Sequence, residues 1–234
     1  MNNKVFRFDS EADWIESLVA AFLKEVEKAA ERGQSEFHAC LAGGKTPEPL
    51  YRALAAAPAL AAASADILIH LWVGDEREVP PDSDFRNGKM IGAAFGPGAA
   101  ASAWIRPPVL HLWPPGSGGV ASILYAGKVC KAISQPPVFD LSLLGMGNDG
   151  HTAGLFSLED TRSPLGLVVL TTMAPSAPTR RMTLSAETLG RSRSILIPIR
   201  GPEKGLVLDA VLGGATYPIS IVAGSAGVFF YLRQ

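Results

Sequence analysis

The sequence predicts an α/β fold in which a mostly parallel central sheet carries helices on both faces. Short apolar runs that suit buried strands alternate with segments whose apolar residues recur at helical spacing, and glycine-rich turns join them. In a parallel sheet the carboxyl ends of the strands lie along one edge, and ligands of such folds bind beyond it. Turns rich in glycine or charge follow four predicted strands, at 36–42, 66–74, 139–144 and 194–199. We therefore expect these four turns to lie together.

The other elements have local signals of their own. Ser10 or Asp9 can cap the first helix, and Thr46 followed by Pro47 predicts a capped start for the second. Pro58 interrupts the helical stretch that follows. The predicted helices cover 11–33, the segment after Thr46, 87–95, 121–133, 187–189 and 204–212. Further strands are predicted at 4–8, 167–172, 219–223 and 228–232, a strand or a turn at 181–184, and a loop at 107–115.

Composition excludes several classes of protein. The chain has 234 residues, 47% hydrophobic and 18% charged, and its 21 Lys and Arg nearly balance 22 Asp and Glu. A disordered chain would be less apolar, and a protein that binds nucleic acid through its charge would be more basic. With no internal repeat and no clear domain boundary, residues 1–234 are expected to form a single domain, as a monomer or homodimer without a nucleic-acid partner.

The uncharged run from Ala210 to Leu232 is long enough to cross a bilayer. Its glycines and Pro218 favour instead two buried strands joined by a turn. The N-terminal residues contain no apolar leader, and Cys40 and Cys130 lack a metal-binding spacing. We therefore expect a cytoplasmic protein with no membrane partner.

The turn Gly43-Gly44-Lys45-Thr46-Pro47 lies between a predicted strand and a predicted helix. Backbone N–H groups at such a junction favour an anion, and glycines let a phosphate approach closely. The spacing is not that of a P-loop. An ordinary tight turn is the alternative interpretation.

Asp75-Glu76-Arg77 follows a strongly apolar strand. Three charges at a strand terminus are often a solvated end. The functional alternative gives Arg77 a phosphate, a carboxylate or a developing oxyanion to bind, with Asp75 or Glu76 orienting it.

The segment from Gly145 to Thr152 is the most informative one. Three glycines give it a tight path, and Asp149 can fix the tautomer of His151 and prepare it as a general base. Its match to the dinucleotide fingerprint is weak, because no acidic residue follows a clear second strand, and a nicotinamide site is discounted. The remaining histidines lie in apolar runs and are expected to be structural: His38, His70 and His111.

Two further basic residues are candidates for an anion site. Lys204 is placed in the first turn of a helix, where the helix dipole disfavours a cation unless an anion is nearby. Arg181 is either part of a solvated basic face with Arg180, Arg191 and Arg193 or a second anion contact. No nucleophile elbow and no zinc spacing is present. Anion-binding groups with one His/Asp base suit hydrolysis or isomerisation of a small phosphorylated substrate without a cofactor.

These motifs resemble the 6-phosphogluconolactonase family in order and spacing. The residues that carry the resemblance are Ala42–Pro47, Val73–Arg77 with Val79-Pro80, Leu144–Ala153 with Leu155-Phe156, Arg181–Thr183 and Gly201–Lys204. The resemblance implies a Rossmann-like three-layer α/β/α fold. It also implies hydrolysis of 6-phospho-D-glucono-1,5-lactone to 6-phospho-D-gluconate in the oxidative pentose phosphate pathway, with no cofactor and no metal.

The resemblance also implies roles for individual residues. His151 would be the general base that activates water, Asp149 would position it, and Arg77 and Lys204 would hold the phosphate or the developing oxyanion. Supporting substrate contacts would come from Gly43, Gly44, Lys45, Thr46, Asp75 and Arg181.

This chain departs from the family pattern at two positions and has two rivals for its function. Ala42 stands where the first motif usually has serine, and Arg86-Asn87 replaces a Ser-Asn pair. Glucosamine-6-phosphate deaminase is one rival, but it usually carries a glutamate after the Asp-Gly-His step that this chain lacks. A sugar-phosphate binding protein without catalysis is the other.

Overall fold

The computed structural model describes residues 3–224 and 226–233. Seven strands form a central sheet in the order β1-β10-β9-β6-β2-β3-β5, and all its neighbouring pairs are parallel. These strands are β1 (Lys4–Phe8), β2 (Glu36–Leu41), β3 (Leu68–Val73), β5 (Val109–His111), β6 (Leu141–Leu143), β9 (Ile195–Arg200) and β10 (Gly227–Leu232). The predicted α/β class and mostly parallel sheet are confirmed.

Eight α-helices connect or flank these strands in the described residues. They are α1 (Glu11–Glu31), α2 (Glu48–Ala56), α3 (Pro58–Ala63), α4 (Asn87–Phe95), α5 (Gly118–Ala132), α6 (Ala186–Gly190), α7 (Pro202–Leu212) and α8 (Pro218–Ala223). Five consecutive residues of β2 and of β9 are buried. Because successive side chains in a strand point to opposite faces, both faces of the sheet are covered.

Helix α1 shows why the sequence forms these elements. The Ser10 hydroxyl accepts the amide N–H of Asp13 at 3.4 Å, which confirms Ser10 as the cap. One stripe of the helix is buried, and the Trp14 indole donates to the carbonyl of Phe230 at 2.8 Å. Burial of this stripe fixes the helix against β1, β10 and β2 of the central sheet, since apolar burial is the main stabilising contribution.

A second, antiparallel sheet of three strands lies beside the central one, in the order β4-β8-β7. Its strands are β4 (Asp75–Arg77), β7 (Val169–Met173) and β8 (Arg180–Leu184). Only Gly74 separates β4 from β3, so the chain leaves the central sheet at the carboxyl end of β3 and enters the small sheet at once. The small sheet therefore carries its residues to the rim where the four turns were expected.

Several local predictions were wrong. The segment predicted as a strand at 219–223 is helix α8, which Pro218 begins, with the Tyr217 amide donating to the Ser220 hydroxyl at 2.9 Å. Residues 109–111, predicted as a loop, form the edge strand β5. Thr46 does not cap α2, whose N-cap is Pro47. The uncharged run thus holds the end of α7, helix α8 and strand β10. None of the helices described here has both the length and the apolar character that spanning a bilayer requires.

Candidate active site

A cavity of about 200 Å³ opens at the carboxyl ends of the central strands. All four predicted turns meet there, and β8 adds Arg181 from the small sheet. Nine of the ten predicted site residues line the cavity, and the tenth, Asp149, contacts one that does. The expected convergence of the turns is therefore confirmed. Lining residues that the sequence reasoning did not assign to the site include Asn87, Met146, Ala153 and Phe156.

His151 and Asp149 form the hydrogen-bonded pair that the sequence suggested. Nδ1 of His151 lies 2.5 Å from Oδ1 of Asp149, and the same oxygen accepts the His151 amide N–H at 3.2 Å. Burial acts to raise the pKa of Asp149, but the hydrogen bond and the charge of His151 outweigh it and hold that pKa below its ordinary value. An ionised Asp149 fixes the Nδ1 proton, which leaves the lone pair of the neutral ring on Nε2.

The glycine turn makes this pair geometrically feasible. Gly147 packs so closely that a Cβ atom there would overlap the imidazole of His151 and the carboxylate of Asp149. The turn closes through a hydrogen bond from the Gly147 amide to the His151 carbonyl at 2.9 Å, and the Thr152 hydroxyl donates to the Gly145 carbonyl at 2.8 Å. A side chain at position 147 is thus incompatible with the observed pair.

The turn from Gly43 to Thr46 presents backbone donors to the cavity. Among the described residues, none of its four amide N–H groups has an acceptor within hydrogen-bond distance. Gly43 lies against the carboxamide of Asn87, with no room for a Cβ atom. Such a row of unsatisfied amides at the start of a helix favours an anion.

The interpretation of Asp75-Glu76-Arg77 as a solvated strand end is wrong. Asp75 and Glu76 are buried, and Arg77 is only partly exposed. Glu76 does not bind the Arg77 guanidinium, whose Nη1 donates instead to the carbonyl of Phe85. Burial raises the pKa of Asp75, although the positive charges of Arg77 and Arg181 oppose this rise.

Arg181 belongs to the cavity and not to a solvated basic face. It is the direct register partner of Arg77 across β4 and β8, and its side chain lies over the ring of Phe156 with 5.7 Å from Cζ to the ring centroid. Burial and the nearby charge of Arg77 lower its pKa. The neighbouring arginines behave differently, because their carboxylate partners lie outside the cavity: Arg180 with Glu78, Arg191 with Glu187 and Arg193 with Asp140.

Lys204 lies in the first turn of α7, as predicted, and its Nζ donates to the Thr46 hydroxyl at 3.3 Å. Burial lowers its pKa. Within residues 3–224 and 226–233, no carboxylate oxygen lies within 4 Å of a side-chain nitrogen of Lys204, Arg77 or Arg181. Three cations that face a small cavity without carboxylate partners form a site for an anion.

The other three histidines lie away from the cavity, on β2, β3 and β5. Nδ1 of His70 is 2.9 Å from Nε2 of His111, and the Trp72 indole donates to Nδ1 of His38 at 3.1 Å. Glu36, His38 and His70 offer ligand atoms within 4.8 Å of one another, which is the spacing of a metal site. Because Trp72 occupies Nδ1 of His38, the neutral ring carries its proton on Nε2, which faces Glu36 and is then unable to bind a metal. This pattern favours a neutral hydrogen-bonded cluster.

The chain matches the family model described as "Glucosamine-6-phosphate isomerases/6-phosphogluconolactonase" over residues 9–230. The chain belongs to this family. It is 31% identical to the 6-phosphogluconolactonase of Thermotoga maritima over 229 residues, which cover 96% of each chain. The crystal structure of a 6-phosphogluconolactonase from that organism superposes with a TM-score of 0.83 at 28% identity, covering 99% of this chain and 100% of the other.

Two other relatives in the family are longer than their matched regions. The 6-phosphogluconolactonase of Mycobacterium tuberculosis is 36% identical over 168 residues, which are 68% of this chain and 66% of that one. The human "GDH/6PGL endoplasmic bifunctional protein" is 33% identical over 211 residues, 82% of this chain but 24% of the human protein. The match thus spans about a quarter of the human protein and about two thirds of the mycobacterial one.

Proposed function

We propose that this chain hydrolyses 6-phospho-D-glucono-1,5-lactone to 6-phospho-D-gluconate in the oxidative pentose phosphate pathway. The observation that carries the proposal is the His151–Asp149 pair at the edge of a cavity that also holds three cations without carboxylate partners. A neutral imidazole paired with a carboxylate is a general base, and the cations suit a substrate that is already anionic and gains a further negative charge in the transition state. Family membership and the similarity to 6-phosphogluconolactonases along almost the whole chain support it.

In the proposed reaction, Nε2 of His151 takes a proton from water as the water oxygen bonds to the lactone carbonyl carbon. The carbonyl oxygen becomes an oxyanion, which Arg77 and Arg181 stabilise because their charges converge on the same part of the cavity. The bond between the carbonyl carbon and the ring oxygen then breaks, and His151 returns its proton to that ring oxygen. The product has a free hydroxyl and a carboxylic acid, which releases its proton to solvent and becomes the carboxylate, and the base is ready again.

The phosphate would bind at the other group of donors. Lys204, the Thr46 hydroxyl and the amides of Gly43 and Gly44 line one part of the cavity, and Lys204 is held there by its contact with Thr46. A phosphate accepts hydrogen bonds from ammonium, hydroxyl and amide groups together. Lys45 is exposed at this turn and adds positive charge at the entrance, whereas Asp75 would accept a hydrogen bond from a sugar hydroxyl.

A coupled assay on the purified chain tests the proposed function. The disappearance of 6-phosphogluconolactone would be followed with the spontaneous rate subtracted, and ammonia release from glucosamine 6-phosphate would be measured in parallel. We expect lactone hydrolysis well above the buffer rate and no ammonia. Ammonia release would favour the deaminase activity that the family also contains, and binding of 6-phosphogluconate without turnover would leave a sugar-phosphate binding protein.

The single domain, the monomeric or dimeric state and the cytoplasmic location belong to the same proposal.

A further inference from the structure

Glu76 is a fully buried carboxylate with four N–H donors around it. Its Oε1 accepts the amide of Arg77 at 2.9 Å and the amide of Asn87 at 2.8 Å. Its Oε2 accepts the amide of Gly88 at 2.9 Å and Nε of Arg86 at 3.3 Å. The side chain therefore joins strand β4 to the first residues of helix α4, whose N-cap residue supplies no capping side chain.

The residues joined by this carboxylate contribute to the cavity. Arg77 and Asn87 share one oxygen of Glu76 through their backbone amides, and both of their side chains line the cavity. The Asn87 carboxamide then donates to the Asp75 carbonyl at 2.8 Å and packs on Gly43. Glu76 therefore helps to fix strand β4, helix α4 and the turn at Gly43 relative to one another.

Arg86 completes this arrangement as the charged partner of Glu76. Its side chain is 8% exposed, with Nε on Glu76 and Nη2 donating to the Trp113 carbonyl at 2.9 Å. A carboxylate removed from water needs a partner charge or several hydrogen bonds to remain ionised. Arg86 supplies the charge and also connects the start of α4 to the segment after β5.

We propose that Glu76 and Arg86 form a buried ion pair that positions Arg77 and Asn87 at the cavity, and that both are positioning residues for the reaction. Neither side chain lines the cavity, so their effect on turnover is transmitted through Arg77 and Asn87. The kinetic consequence rests on the proposed function, whereas the structural consequence does not.

The variants Glu76→Gln and Arg86→Ser test the proposal, with Asp140→Asn as the matched control. Asp140 is also a buried carboxylate that accepts a backbone amide, that of His38 at 3.0 Å, and pairs with an arginine, Arg32 at 3.0 Å, but it lies away from the cavity. We expect Glu76→Gln to lower kcat/KM for the lactone about tenfold to a hundredfold, since a displaced charge weakens transition-state contacts. Asp140→Asn lowers the melting temperature and leaves the kinetics of the folded protein within about twofold.

Two further readouts separate positioning from stability alone. Amide hydrogen exchange should accelerate in Glu76→Gln at Arg77, Asn87 and Gly88, and this result does not depend on activity. Arg86→Ser should lower kcat/KM by a smaller factor, and that factor should shrink further in the Glu76→Gln background because the two residues act as a unit. Unchanged kinetics with only a lower melting temperature, or additive effects of the two substitutions, would overturn the proposal. If the unaltered chain has no lactonase activity, the proposed function is wrong. The hydrogen-exchange data then still test whether Glu76 holds Arg77 and Asn87 in place.

Discussion

Nζ of Lys204 donates to the hydroxyl of Thr46 at 3.3 Å, although the two residues are 158 positions apart in the chain. Lys204 lies in the first turn of helix α7 and Thr46 precedes helix α2, so the contact brings two helix N-termini to one side of the cavity. Burial lowers the pKa of this lysine, and no carboxylate among the described residues pairs with it. A half-buried cation with one hydroxyl contact is a site that an anion would stabilise.

The substitution Lys204→Met tests whether this position binds the phosphate. Methionine keeps an unbranched side chain of similar length and removes the charge. We expect KM for 6-phosphogluconolactone to rise about tenfold to a hundredfold, the range for a lost charge-assisted hydrogen bond, whereas hydrolysis of unphosphorylated gluconolactone should change little. Lys131→Met, at an exposed position on α5, is the control and should leave both substrates unaffected. Equal losses on the two lactones would place the phosphate elsewhere.

The Gly147→Ala substitution tests the need for close packing around the catalytic pair. A methyl group there overlaps His151 and Asp149, so the pair has to separate. We expect kcat to fall about tenfold to a hundredfold, as for loss of an oriented general base. Gly127→Ala is the matched control, because a Cβ atom at that helical position has no neighbour within 4 Å. It should leave kcat unchanged and stabilise α5 by about 0.5–1 kcal/mol. Normal turnover in Gly147→Ala would show that the observed pair is not required.

The cluster of His38, His70 and His111 predicts a pH dependence of stability. Burial lowers the pKa of all three, and burial together with the neighbouring histidines lowers that of His111 to about 4. The unfolded histidines titrate near 6.5, so between pH 6.5 and about 4 the unfolded chain binds more protons than the folded one. The free energy of unfolding should therefore fall as the pH drops through this window. Above the window the histidines are neutral in both states, and they no longer lower the free energy of unfolding.

Urea denaturation at pH 7 and pH 5 measures this dependence. His111→Gln keeps a polar partner for His70 and removes one titrating group, so the difference in midpoint between the two pH values should be smaller in the variant. A pH dependence identical to that of the unaltered chain would exclude His111 as a contributor.

The main features of the cavity could be predicted from the sequence because each glycine-rich or charged turn follows an apolar run. Parallel strands bring such turns to one rim regardless of which helices intervene, and the deciding signals at Gly43, Asp149, His151 and Lys204 are local. The small antiparallel sheet could not be predicted in the same way, because the three-residue strand β4 pairs with β8 across about a hundred residues of chain, as the partners Arg77 and Arg181 show.

Other predictions were wrong where a side chain has its hydrogen-bond partner far along the chain. Glu76 resembles a solvated strand end until the amides of Asn87 and Gly88, more than ten residues later, become its partners. The apolar segment of α8 suits a strand as well as a helix. Pro218 at the first helical position and the hydrogen bond from the Tyr217 amide to the Ser220 hydroxyl favour the helix. Thr46 fits the pattern of a helix cap. Its hydroxyl instead contacts Lys204, and the residues next to Thr46 in the chain do not indicate that contact.

The kcat of His151→Ala for 6-phosphogluconolactone is the measurement that decides whether His151 is the general base. We expect a fall of about 10²–10⁴-fold relative to the unaltered chain, because a positioned general base contributes a factor of that size, with KM nearly unchanged since the phosphate contacts remain. The spontaneous rate has to be subtracted, and a melting curve has to show that the variant is folded. A kcat within a few-fold of the unaltered chain would contradict the assignment of His151 as the base and, with it, the proposed mechanism.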